Sequence, residues 1–144
     1  MTKRKIYKGT SVISDLYEKY NGSGQVALMG LNEPIISSII DLIREDFSFS
    51  IKEESYFRIE TKGEGHPWHV DTGTNNHMMW CQVGISIILK DGFTGGDTYY
   101  ADDDKETNKV KVVREKHDIC VHSSDQWHMV DPHQGTRTVL IMFI

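Results

Sequence analysis

Cysteine is scarce in this chain. Only Cys81 and Cys120 occur among its 144 residues, too few for a disulfide framework and at a spacing that matches no zinc motif. Both read as small buried hydrophobes. Long apolar runs are missing too: GISIIL and TVLIMFI are far too short to cross a bilayer, so no membrane association is expected. The basic opening, MTKRKIYKGT, has no apolar segment after it. No secretory signal is therefore expected, and a reducing, cytoplasmic setting is the default. Positive charge is in deficit, with 16 Lys and Arg against 21 Asp and Glu, for a net charge of −5. The basic cluster Lys3, Arg4, Lys5 and Lys8 lies at a terminus. A phosphate-backbone binder needs a basic face, so nucleic acid is not an expected partner. Internal repeats, low-complexity tracts and linkers are absent, and the length suits one domain with one core.

What is present changes character along the chain. SDLYEKY, residues 14–20, suits a short helix with Ser14 as its cap. Residues 33–46 suit a longer one: Asn32 can cap it, Pro34 is early enough to be tolerated, and Ile36, Ile39, Ile40 and Ile43 make one apolar stripe. From about residue 47 the period becomes two. Expected strands are FSFSI, SYFRIET, the HVD segment, QVGISIILK, GDTYYA, NKVKVV, HDICVH, QWHMV and TRTVLIMFI, parted by the turn signals KGEG, DGFTGG, ADDDKETN, SSD and DPHQG. Many short strands with no helices between them argue a mainly β fold with flanking helices, a sandwich or jelly roll. The expected single domain has helical cover over about 1–50 and a β-barrel core over about 51–144.

The chemistry starts at HPWHVDTG, residues 66–73. Residues i and i+2 of a strand point to one face, so His69 and Asp71 can aim an imidazole and a carboxylate at one point. His128, in DQWHMVDP, is a candidate third ligand. Two histidines and a carboxylate on one face of an ion make the facial triad of non-haem Fe(II) oxygenases, with positions left open for co-substrate and O2. His-X-Asp alone is a weak signal. Arg137 adds to it, because a guanidinium opening a strongly apolar last strand costs desolvation unless it finds a partner, and it suits bidentate carboxylate binding.

From about Tyr56 to Ile144 the chain resembles the iron(II)/2-oxoglutarate-dependent dioxygenase superfamily, and within it the prolyl-4-hydroxylase-like branch. HVD at 69–71, VGISIILKDGFTGGDTYY, and HMVDPHQGTR carry the resemblance in family order. It implies a double-stranded β-helix, a jelly roll of cupin-like form. It implies Fe(II) held by His69, Asp71 and His128 as metal ligands and catalytic residues, 2-oxoglutarate as co-substrate held by Arg137, and O2. The implied reaction hydroxylates a C–H bond with release of succinate and CO2. The implied substrate is a prolyl residue in a peptide or protein, with a small molecule as the alternative. The branch usually carries tyrosines near the positions of Ile59 and Ile88. Tyr56 is a nearby candidate anchor, but three residues from Ile59 it faces the other way unless a bulge intervenes.

Other readings compete. A cupin-like metal module that does not use 2-oxoglutarate would share the jelly roll and the metal ligands; Arg137 discriminates against it. A binding protein with a degenerate site would have no reason to keep His69, Asp71, His128 and Arg137 together. His66, His77 and Trp80 are candidate substrate contacts, with residues 73–82 as a lid. Met78 and Met79 are either substrate contacts or filler. His117, His122 and His133 read as surface or loop residues. Trp68 and Trp127, each next to a ligand histidine, are expected in the outer core. The acidic run 101–108 reads as a solvated turn rather than a calcium loop, and Gly95–Gly96 is no phosphate loop, because no helix follows.

Overall fold

Val83, Ile85, Ile87 and Leu89 alternate with Gly84, Ser86 and Ile88 along one strand. The first set is buried in the main apolar cluster. The second set faces the other way, as the two-residue period requires. This split organises the molecule. The computed structural model describes residues 3–62, 64–72 and 77–144. Gly63 of the expected KGEG turn and residues 73–76 of the expected lid lie outside the described residues.

The strands are β1 (Arg4–Tyr7), β2 (Val26–Ala27), β3 (Tyr56–Lys62), β4 (His66–His69), β5 (Val83–Lys90), β6 (Phe93–Gly95), β7 (Thr98–Ala101), β8 (Val110–Lys111), β9 (Ile119–Ser123), β10 (Trp127–Val130), β11 (His133–Gly135) and β12 (Arg137–Phe143). The helices are α1 (Asp15–Tyr20) and α2 (Pro34–Ile43). A six-stranded sheet runs β1-β9-β5-β12-β3-β2 and a four-stranded sheet runs β4-β10-β7-β8, with β11 and β6 paired separately. Every pairing is antiparallel. Residues of both larger sheets line one cavity. The fold is the double-stranded β-helix, mostly β with two flanking helices.

The apolar core lies on the outer face of the six-stranded sheet. Phe57 of β3, Val121 of β9 and Leu140 and Met142 of β12 pack there against Leu16 of α1 and Ile36, Ile39 and Ile43 of α2. The inner face presents Tyr56, Arg58, Ser86, His122, Arg137 and Val139 to the cavity. One sheet thus separates a greasy support from a polar interior.

Several local expectations are corrected. Glu33, not Asn32, caps α2: its carboxylate accepts from the Ile35 N–H at 3.1 Å, and Pro34 follows at the first helical position. The helix stops at Ile43, short of residue 46. Ser14 stands at the N-cap position of α1, but its side chain makes no capping bond; its hydroxyl meets the Leu89 carbonyl and the His117 ring instead. FSFSI is not a strand, because Ser50 exchanges its backbone hydrogen bonds with the Gln82 side chain rather than a neighbouring chain. The basic N-terminal segment forms the edge strand β1. β6 and β11 lie inside segments that read as turns, since three-residue pairs with glycine carry almost no period.

Candidate active site

β4 and β10 are neighbours, and their register sets His69 directly opposite His128. The two imidazoles lie with centroids 4.2 Å apart and their planes tilted by 52°. β4 ends at His69, so Asp71 sits just beyond the strand rather than on it. Its backbone N–H and that of Thr72 both donate to the Ser124 carbonyl, which pins the loop. Asp71 Oδ1 ends 3.3 Å from His128 Nε2 and 3.7 Å from His69 Nε2. The three ligand atoms all lie within 4.8 Å of one another.

The tautomers follow from the partners. A carbonyl can only accept, so His69 Nδ1–H donates to Pro67 O and His128 Nδ1–H donates to Gln126 O, at 2.5 and 2.8 Å. Both Nε2 lone pairs therefore face Asp71. Backbone partners of this kind orient metal-ligating histidines. Burial, and then the neighbouring His128, push the His69 ring below its usual pKa, which favours the neutral form a ligand needs. Burial alone would raise the Asp71 carboxyl. The charge and hydrogen bond of His122 outweigh it and hold that group well below the usual carboxylate range. Ligands about 2.1 Å from an ion and at right angles sit about 3 Å apart, so two imidazole nitrogens and one anionic oxygen here fit a small divalent cation with little adjustment.

The triad opens onto a cavity of about 340 Å³ that also takes Tyr56, Arg58, His66, Thr98 and Arg137 into its wall. Arg137 is 5% exposed. Its Nε and the Thr98 hydroxyl are buried without a hydrogen-bond partner among the described residues. Burial, and then Arg114, push the Arg137 guanidinium down to about 10. At neutral pH it is still a cation, held where an anion is wanted. Two orphaned donors in a cavity with a triad of metal-ligand types fit a small carboxylate compound.

Tyr56 and Arg58 line the cavity, while Ile59 packs against the core cluster on the opposite face of β3. Ile88 is buried on β5 but is not part of the cavity wall. His66 lines the cavity and meets Glu60 at 3.1 Å. His77 and Met78 border both this cavity and an adjoining, more open groove of about 500 Å³, where Trp80 lies with its ring 6.1 Å from Tyr56. Met79 is exposed. Trp68 and Trp127 stack on each other, half-buried and outside the main apolar cluster, because they occupy the outward face of the smaller sheet.

His117 lies in a turn as expected, while His122 and His133 correct the surface reading. His117 bonds Ser14 at 2.6 Å. His133 is buried on β11 against Phe93. His122 is buried on β9, with Nε2 2.6 Å from Asp71 Oδ2. Its signal was available: in HDICVH, Ile119 and Val121 supply the core face, which leaves Cys120 and His122 for the cavity face. Both cysteines are buried and free, and burial, then the charge of Asp71, push the Cys81 thiol up to about 12.

The double-stranded β-helix is a fold shared with solved 2OG-Fe(II) oxygenases. The chain is similar to a prolyl-4-hydroxylase from Pseudomonas putida, with a TM-score of 0.70 at 13% identity over 98% of this chain and 83% of that one. It is similar to a prolyl 4-hydroxylase from Phytophthora capsici (TM-score 0.59, 15% identity, 97% of this chain and 57% of that one). It also matches a 2OG-Fe(II) oxygenase family oxidoreductase from Burkholderia pseudomallei (TM-score 0.51, 15% identity, 99% and 66%). At such identities the likeness is one of fold, and the chain spans less than two thirds of the last two proteins. No protein-family model matches the sequence, and no curated protein does. No helix among the described residues is long and apolar enough to cross a membrane.

Proposed function

We propose that this chain is an Fe(II)- and 2-oxoglutarate-dependent dioxygenase that hydroxylates a C–H bond and releases succinate and CO2. The observation that carries the reading is the convergence of His69 Nε2, Asp71 Oδ1 and His128 Nε2 in one cavity with the buried cation Arg137. His69, Asp71 and His128 would hold the iron. Arg137, with Thr98 beside it in the wall, would take the far carboxylate of 2-oxoglutarate. Iron so held supplies activation of O2 for oxidation of substrate.

The chain's own residues do the rest. Pro67 O and Gln126 O keep both imidazoles turned with Nε2 inward. Val139, Ile141 and Phe143 give the cavity an apolar stretch of wall. His66 and His77 stand on the cavity wall and Trp80 lines the adjoining groove as candidate substrate contacts, and Tyr56 on the same wall is the candidate second anchor of 2-oxoglutarate. The groove leads away beside Glu53 and Glu54. Its open form suits a peptide segment better than an enclosed metabolite, and a prolyl side chain is the proposed target.

The test is an anaerobic titration of metal-free protein with Fe(II) and then 2-oxoglutarate, followed by visible absorbance. A weak charge-transfer band that needs both additions is expected, as is succinate release stimulated by prolyl peptides. His69→Ala and His128→Ala should abolish both. Bound iron with no band would instead favour a cupin-like metal site that does not use 2-oxoglutarate.

A further inference from the structure

The carboxylate of Asp71 is divided between two sets of partners. Oδ1 faces His69 and His128. Oδ2 faces away from them and meets His122 Nε2 at 2.6 Å. An ionised carboxylate only accepts, so His122 donates through Nε2–H. Its Nδ1 lies 3.1 Å from the Tyr100 hydroxyl, which can either donate or accept there. Both nitrogens of His122 are therefore engaged, and the ring has no lone pair for an ion.

We propose that His122 is a positioning residue for Asp71: it occupies Oδ2, so that Oδ1 alone is turned toward the ion. The inference rests on the metal reading above. Three further features support it. His122 is 6% exposed and Asp71 4%, so neither group has water as a ready substitute partner. Position 84 is glycine, directly opposite His122 across β5 and β9. A Cβ there would collide with Asp71 Oδ2 and His122 Nε2, so the missing side chain is the space the bond occupies. Tyr100 is itself opposite His128 across β7 and β10. The hydroxyl that meets His122 Nδ1 thus stands in the same cross-strand row as a ligand candidate.

The test measures Mn(II) affinity of the metal-free protein by EPR, a readout independent of turnover. Fold is checked by circular dichroism. His122→Phe fills the space but cannot donate, and Mn(II) should bind about 10–100-fold more weakly. His122→Gln can present an N–H to Oδ2 and should recover most of the loss. Tyr100→Phe should weaken binding severalfold. If His122→Phe fails to fold, His122→Asn carries the same amide too short to reach and serves as the loss variant. A folded His122→Phe or His122→Asn within twofold of wild type overturns the proposal. So does a His122→Gln as weak as the loss variant, since that marks a packing role. Wild-type protein that binds no Mn(II) removes the metal reading and this inference together; wild-type binding with indifferent variants removes only the inference.

Discussion

Arg137 is the residue on which the co-substrate reading can be tried alone. It opens β12 with its guanidinium buried, and glycine at position 96 lets the chain pass close to its side chain. Hydrogen bonds to a charged partner contribute roughly 1.5–3 kcal/mol, and about 1.4 kcal/mol is a factor of ten. Arg137→Ala should therefore raise the KM for 2-oxoglutarate by about tenfold to a hundredfold, while Mn(II) affinity stays put. Thr98→Val, which removes one neutral hydroxyl, should raise it by less than tenfold. A KM unmoved in Arg137→Ala would show that the guanidinium serves packing instead. At this scale the sequence was legible where side chains share a motif: His69, Asp71, His128 and Arg137 could be named from their spacing and their family-like order. Thr98 lay within the family-like GGDTYY stretch, but only its burial without a partner among the described residues marks it. The alternation in HDICVH points His122 inward, but only the pairing of β9 with β5 brings it to Asp71.

Among the elements, α2 shows how a polar group can hold the apolar support in place. Glu33 is 1% exposed and takes three partners: Lys19 at 2.8 Å, Tyr20 at 3.0 Å and the Ile35 N–H at 3.1 Å. Its carboxyl is held below the usual range, chiefly by the Lys19 hydrogen bond, against the cost of burial. Loss of the cap and of a buried charge-assisted bond should make Glu33→Ala less stable by roughly 1–3 kcal/mol in urea unfolding. The sign with pH follows from the lowered pKa. The stabilisation is complete above the unfolded value of about 4.3 and is lost as pH falls through the folded one. Wild-type protein should lose stability with acid below about pH 4.3 more steeply than Glu33→Gln; equal slopes would show that the ionised form is not what holds the helix. Element type was readable along α2 and the long strands, where four or more residues keep one period. It failed at FSFSI, whose alternation is real but whose backbone is satisfied by a side chain, and at β6 and β11, which are too short to show a pattern.

At the scale of the whole molecule, the six-stranded sheet has its hydrophobic support outside and its charged groups inside. The interior holds two arginines close enough for Arg114 to depress Arg137, together with three histidines packed around one carboxylate. Such an interior is held against its own desolvation cost. Ligands that supply the opposite charges should therefore stabilise the fold strongly. For a ligand bound only by the native state, a concentration of about 100 times Kd adds about 2.7 kcal/mol. In a chain of this size that is a rise in Tm of about 5–10 °C. Mn(II) should give such a rise in wild-type protein, and 2-oxoglutarate should add a second one only when the metal is present. Arg137→Ala should keep the first and lose most of the second. His69→Ala should lose both, because without the ion the co-substrate has only its distal anchor. Differential scanning fluorimetry under anaerobic conditions separates these arms. A 2-oxoglutarate shift of equal size in metal-free protein would mean that the ligand is held without the triad, and would move the chemistry of this cavity away from iron.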